Sequence, residues 1–100
     1  MALETVRQSD TCTIIKINGR FDFSCHNDFR EAYAAAPSGT EFVVDMGGTS
    51  YMDSAALGML LLLREHVQQQ GGRVSITNCR GQTYDVLQIA NFHRLFKIAQ

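Results

Sequence analysis

Three short runs of apolar and β-branched residues alternate along this chain with segments of helical period, and that alternation limits the possible folds more than any other feature. The runs are TCTIIKIN at 11–18, EFVVDM at 41–46 and RVSITN at 73–78, each reading as a strand. Between the first two, Phe29, Ala32, Tyr33 and Ala36 recur at i, i+3, i+4 and i+7, which predicts a helix over about 25–36 with Ser24 as its N-cap. Pro37 follows where that helix should stop. A second helix is expected from Ser54 or Ala55 to about Gln70, ended by Gly71-Gly72, and a third over about 81–90 with Tyr84, Leu87 and Ala90 on one side. The opening ALETVRQ reads as an edge strand turned back on 11–18 through Ser9-Asp10, and Lys97-Ile98 as a last short strand. Parallel neighbours need crossover connections, so the class is α/β. The expected sheet is mostly parallel, with four to five strands and an antiparallel N-terminal edge, covered by three to four helices.

A chain of 100 residues fits one domain, here taken as 1–100, with a modest core. Nine Lys and Arg against ten Asp and Glu give a net charge of -1 with no basic stripe, which removes the electrostatic basis for nucleic-acid binding. No stretch of about 18 uncharged apolar residues occurs, and MALETVRQSD lacks the pattern of a secretory signal, so the chain reads as cytoplasmic without direct membrane insertion. Cys12, Cys25 and Cys79 are odd in number and widely spaced, which argues against disulfides and structural zinc. Cys12 reads as a small buried hydrophobe, Cys25 and Cys79 as turn residues.

In open sheets of this kind reactive groups gather at the carboxyl ends of the strands. The loops expected there are 19–24, 47–54 and 78–81, and the middle one ends in Asp53-Ser54 before a strongly apolar run. A serine nucleophile needs an adjacent base, and neither a GxSxG elbow nor a histidine near Ser54 is present. His26, His66 and His93 read as surface or packing residues. Asp22 and Asp53 can meet at the rim, but nothing in the sequence sets their separation, and hydrolysis is not expected. GxGxxG and GxxxxGK[ST] are both absent, so no cofactor is expected, although the amides of a helix N-terminus can attract a phosphate. Ser54 or Asp53 can cap the second helix. A phosphoryl group on Ser54 would also be tolerated, its charge facing the positive end of the helix dipole. Behind it, Ala55 to Leu63 are apolar nearly all the way round the helix, so either the other helices wrap it fully or an apolar patch lies exposed beside Ser54. Met59 would suit such an adaptable surface.

These residues resemble a known family. Gly19-Arg20-Phe21-Asp22, Phe42-Val43-Val44-Asp45, Tyr51-Met52-Asp53-Ser54 leading into Leu57-Gly58, Gly71-Gly72 and the stretch from Phe92 to Ile98 together are similar to the STAS domains, and among them to the bacterial anti-sigma factor antagonists with the SpoIIAA-like fold. The resemblance implies a non-enzymatic switch. Ser54 would be phosphorylated by an anti-sigma factor that is itself a serine kinase, and a PP2C-like phosphatase would restore it. The unmodified protein would sequester the anti-sigma factor and free a sigma factor. The partner-facing region would comprise Asp22, Ser24, Tyr51, Met52, Asp53, Ala55, Ala56, Leu57 and Met59. Ala55 and Ala56 depart from the Ser and Gly common in the family, and Arg20 stands where an acid is frequent. Alternatives are a non-catalytic STAS subunit of a bacterial lipid-transport complex, and a nucleotide or small-ligand sensor using the same rim.

Overall fold

A computed structural model describes residues 3–100, and Ala2, at the start of the expected edge strand, lies outside the described residues. Strand β1 (Leu3–Arg7) runs antiparallel to β2 (Cys12–Ile17), with Thr5 opposite Ile15. The Gln8 and Ser9 N–H groups both donate to the Cys12 carbonyl and close the turn between them. After a short β3 (Gly19–Phe21) and a 3-10 turn at Phe23–Cys25 comes α1 (His26–Ala34). Then follow β4 (Glu41–Asp45), β5 (Thr49–Met52), α2 (Ser54–Gln69), β6 (Arg73–Thr77), α3 (Gly81–Ile89), a 3-10 turn at Phe92–Arg94 and β7 (Lys97–Ile98).

The main sheet has the order β1-β2-β4-β6-β7, parallel from β2 onward. Since the order never reverses, right-handed crossovers carry α1, α2 and α3 over one face. Burial along the strands follows this. Ile15, Ile17, Phe42, Val44 and Ile76 are buried, whereas the alternate positions Ile14, Lys16, Val43 and Asp45 are only half-buried. Against the covered face pack Phe29 and Tyr33 of α1, Leu60, Leu63 and Val67 of α2, and Leu87 of α3. The helical stripe expected over 25–36 corresponds to α1, which ends at Ala34: Phe29 and Tyr33 are buried with Ala32 beside them, and Ala36 packs against the core from just past the helix end.

Helix α2 stops where Gly71 adopts φ +77, a conformation glycine takes at little cost, and a Cβ on Gly72 would collide with the Thr40 carbonyl. Cys12 is half-buried rather than fully enclosed, because it sits on the less covered face of the sheet. Cys25 and Cys79 are buried, although both lie next to turns. Burial, then the charge of Asp45, pushes the Cys79 thiol up to about 11.

Candidate functional site at the carboxyl rim

The segments 19–24 and 47–54 are more ordered than loops. Gly19, at φ +82, turns the chain off β2 and donates its N–H to the Gly48 carbonyl at 2.8 Å. From there β3 and β5 pair in parallel as a second, two-stranded sheet, with Arg20 opposite Tyr51 and Phe21 opposite Met52. Phe21 and Met52 are buried and root this small sheet in the core. Asp22 and Asp53 are the next residues on each strand, so the register brings both carboxylates to the same end of the platform.

Asp53 caps α2. Its backbone is extended, and Oδ1 accepts the Ala56 N–H at 3.1 Å. Ser54 is therefore the first residue of the helix, exposed and released from capping. On the paired strand, Asp22 does the same for the 3-10 turn before α1. Its Oδ1 accepts the Ser24 N–H at 3.0 Å and the Ser24 hydroxyl at 2.5 Å, and Arg20 Nε reaches Oδ2 at 3.4 Å. The Ser24 bonds, with Arg20 behind them, hold the Asp22 carboxyl below the usual carboxylate range. Ser24 is thus not the N-cap of α1; it lies inside the 3-10 turn, and Cys25 occupies the cap position without capping the helix through its side chain. Arg20 also stacks its guanidinium 4.2 Å above the Tyr51 ring, a cation–π contact that fixes an otherwise exposed side chain.

The outward stripe of α2 begins at Ser54 and continues through Gly58, Leu61, Leu62, Glu65 and Gln69, all exposed. Leu61 and Leu62 keep 41% and 53% of their surface, so the helix is not fully wrapped. The opposite stripe, Ala56, Met59, Leu60, Leu63 and Val67, is buried. This corrects three of the residues expected to face a partner. Met52, Ala56 and Met59 point into the core, because β5 is rooted there by Met52 and because the inward stripe of α2 starts at Ala56. Asp22, Tyr51, Asp53, Ala55 and Leu57 are half-buried at the rim, and Ser24 is exposed.

Two residues of this region carry little sequence signal. Phe23, 67% exposed, stacks on His26 beside the Asp22–Ser24 turn. Gln82, at the start of α3, binds the Met52 backbone twice: Oε1 accepts its N–H at 3.1 Å and Nε2 donates to its carbonyl at 3.0 Å. An exposed aromatic and a surface glutamine are both ordinary in a sequence; their position in space makes them notable.

His26 and His66 line a groove of about 550 Å³ between α1 and α2, and His66 packs on the Tyr33 ring at 5.1 Å. His93 is exposed. Among the described residues no three His, Cys, Asp or Glu side chains gather as a metal would require, and no helix is long and apolar enough to cross a membrane. Chemically, the end of the β3–β5 sheet offers the exposed Ser54 hydroxyl at a helix start, the Asp22 and Asp53 carboxylates already tied to backbone amides, and the Arg20 guanidinium.

A family model described as "STAS domain" matches residues 4–100. A STAS-domain containing protein of Pseudomonas aeruginosa (strain UCBPP-PA14) is 48% identical over 86 residues, covering 85% of each chain. Among solved structures, an anti-sigma factor antagonist from Mycobacterium paratuberculosis superposes with a TM-score of 0.80 at 16% identity, over 97% of this chain and 85% of its own. The Bacillus cell fate determinant SpoIIAA in its phosphorylated form gives 0.72 at 17% identity, over 99% and 92%. At such identities the structural likeness speaks for the fold.

Proposed function

This chain belongs to the STAS domain family, and from that membership we propose that it is an anti-sigma factor antagonist switched by phosphorylation of Ser54. In the unmodified state it sequesters, in the cytoplasm, an anti-sigma factor with serine kinase activity, and so releases a sigma factor. Phosphate on Ser54 ends the complex, and a PP2C-like serine phosphatase restores it. The supporting observation is the division of labour at the start of α2: Asp53 supplies the cap, which leaves the exposed Ser54 hydroxyl free to accept a phosphoryl group without unwinding the helix.

The electrostatics favour such a switch. A phosphoserine adds about -1.5 to -2 charges, and at this place they face the free amides and positive dipole end of α2. On the outside the same charges join Asp53 at the start of the exposed α2 stripe that carries Leu61 and Leu62, with Asp22 at the matching end of β3. A partner packing there would have to strip water from the dianion, and each 1.4 kcal/mol of that cost weakens binding about tenfold. The kinase would bring nucleotide, metal ion and base, so the protein contributes placement of the hydroxyl.

The test uses the chain carrying Ser54→Ala or Ser54→Asp as paired baits in its own cells, with mass spectrometry of the wild-type protein. Ser54→Ala should retain an anti-sigma factor kinase, Ser54→Asp should lose much of it, and the wild type should carry one phosphate on Ser54. Equal retention by both baits, with no phosphate on Ser54, refutes the proposal.

A further inference from the structure

Met52 ends β5 two residues before Ser54, and its side chain is buried. Strand β3 lies along one edge of β5, and at Met52 the other edge is closed by the Gln82 side chain. One primary amide satisfies both polar groups of the Met52 peptide, as the backbone of an adjacent strand would. Gln82 is itself exposed, so its place is not explained by burial. It is also the second residue of α3, so the clamp ties the start of that helix to the strand that delivers the phosphoacceptor.

We propose that Gln82 is a positioning residue for Ser54, holding the end of β5 so that the hydroxyl is presented in one orientation to the enzyme that modifies it. The inference rests on the function proposed above. Between the Gln82 clamp at Met52 and the Asp53 cap at Ala56 the segment is anchored on both sides of Ser54. Phosphoryl transfer depends on in-line placement of the attacking oxygen, so freedom at Met52 would be paid in turnover rather than in docking. Gln82 touches neither the hydroxyl nor the nucleotide; it acts through the backbone.

Gln82→Met tests this, because methionine has nearly the same length and helix preference as glutamine but makes neither hydrogen bond. The first readout is hydrogen exchange of the Met52 amide by NMR, expected to quicken by about tenfold or more as its acceptor is lost. The second is steady-state phosphorylation of Ser54 by the kinase that modifies the wild type. There kcat should fall by about tenfold while KM stays within about twofold, a split that a merely structural contact would not produce. Gln82→Glu keeps the acceptor for the Met52 N–H and loses the donor, so its Met52 exchange should fall between the two. Unchanged Met52 exchange in Gln82→Met shows that the clamp is absent in solution and overturns the proposal. Faster exchange with unchanged kcat makes Gln82 structural only and overturns it equally. If no serine kinase of the native cell modifies wild-type Ser54, the phosphoswitch and the positioning role fall together, and the exchange result separately records whether the clamp exists.

Discussion

Replacing Asp53 and Ser54 one at a time separates capping from modification. The Asp53 carboxylate is the acceptor for the Ala56 N–H at 3.1 Å, and it sits at the positive end of a sixteen-residue helix. Removing an N-cap acid costs about 1 kcal/mol, and losing a favourable charge at the helix start adds about 0.3–1 kcal/mol. For a chain of 100 residues, Asp53→Ala should therefore lower Tm by roughly 5–15 °C, at about 4–8 °C per kcal/mol. Asp53→Asn retains a capping oxygen, so its loss should be limited to the charge contribution of about 0.3–1 kcal/mol. Ser54 lies past the cap and is exposed, which puts Ser54→Ala within about 0.5 kcal/mol of the wild type. Calorimetry and urea unfolding, with matched m-values, give the four stabilities. A Ser54→Ala variant less stable than Asp53→Ala would refute the division of roles, since the hydroxyl would then be part of the cap.

Asp45 is partly desolvated, which raises its pKa, but bonds from Asn78 and the Gly47 N–H together with the Lys16 charge outweigh this and hold it below the usual carboxylate range. Its contribution to stability is thus complete above the unfolded value of about 3.9 and disappears as pH falls through the lower folded value. Asn78→Gly, which suits the local φ of 60 but removes the donor, should raise the Asp45 midpoint in a carboxyl-carbon NMR titration; an unmoved midpoint contradicts the assignment. With Cys79 buried and its thiol pushed up to about 11, iodoacetamide at pH 8 should spare it in the folded protein and label it after unfolding, while half-exposed Cys12 reacts first. Equal labelling of the two in the native state would argue against this packing.

The main sheet was legible because its strands announce themselves locally: β-branched runs at β2, β4 and β6 and helical stripes between them survive reading in one dimension. The β3–β5 sheet was not. Its strands are three and four residues long, without alternation, and they form only when Gly19 turns the chain so that Arg20 meets Tyr51 across many intervening residues. The same holds for the site. Ser54 and Asp53 are visible as a cap signature, yet which of them caps is decided by the extended backbone of Asp53. Gln82 enters from another helix, where its sequence context says nothing. Ser24 precedes the α1 stripe as a helix cap does, but Asp22 starts a 3-10 turn two residues earlier and caps that turn with its own carboxylate, which leaves Cys25 at the start of α1.

Gly58 shows how the fold and the proposed switch pull in different directions. It lies one turn past Ser54 on the exposed stripe of α2, in the helix interior, and a Cβ built there would meet nothing within 4 Å. Glycine at such a position costs roughly 0.5–1 kcal/mol relative to alanine, and nothing in the packing of the chain requires it. Gly58→Ala should accordingly stabilise the protein, raising Tm by about 2–8 °C. If a partner docks on the Ser54 end of this stripe, an added methyl group beside Leu61 and Leu62 holds its surface away, so the more stable variant should bind the anti-sigma factor more weakly. Thermal unfolding and binding measured on the same Gly58→Ala preparation should move in opposite directions; a loss of stability would show that the glycine serves the fold, and stronger binding would place the partner elsewhere.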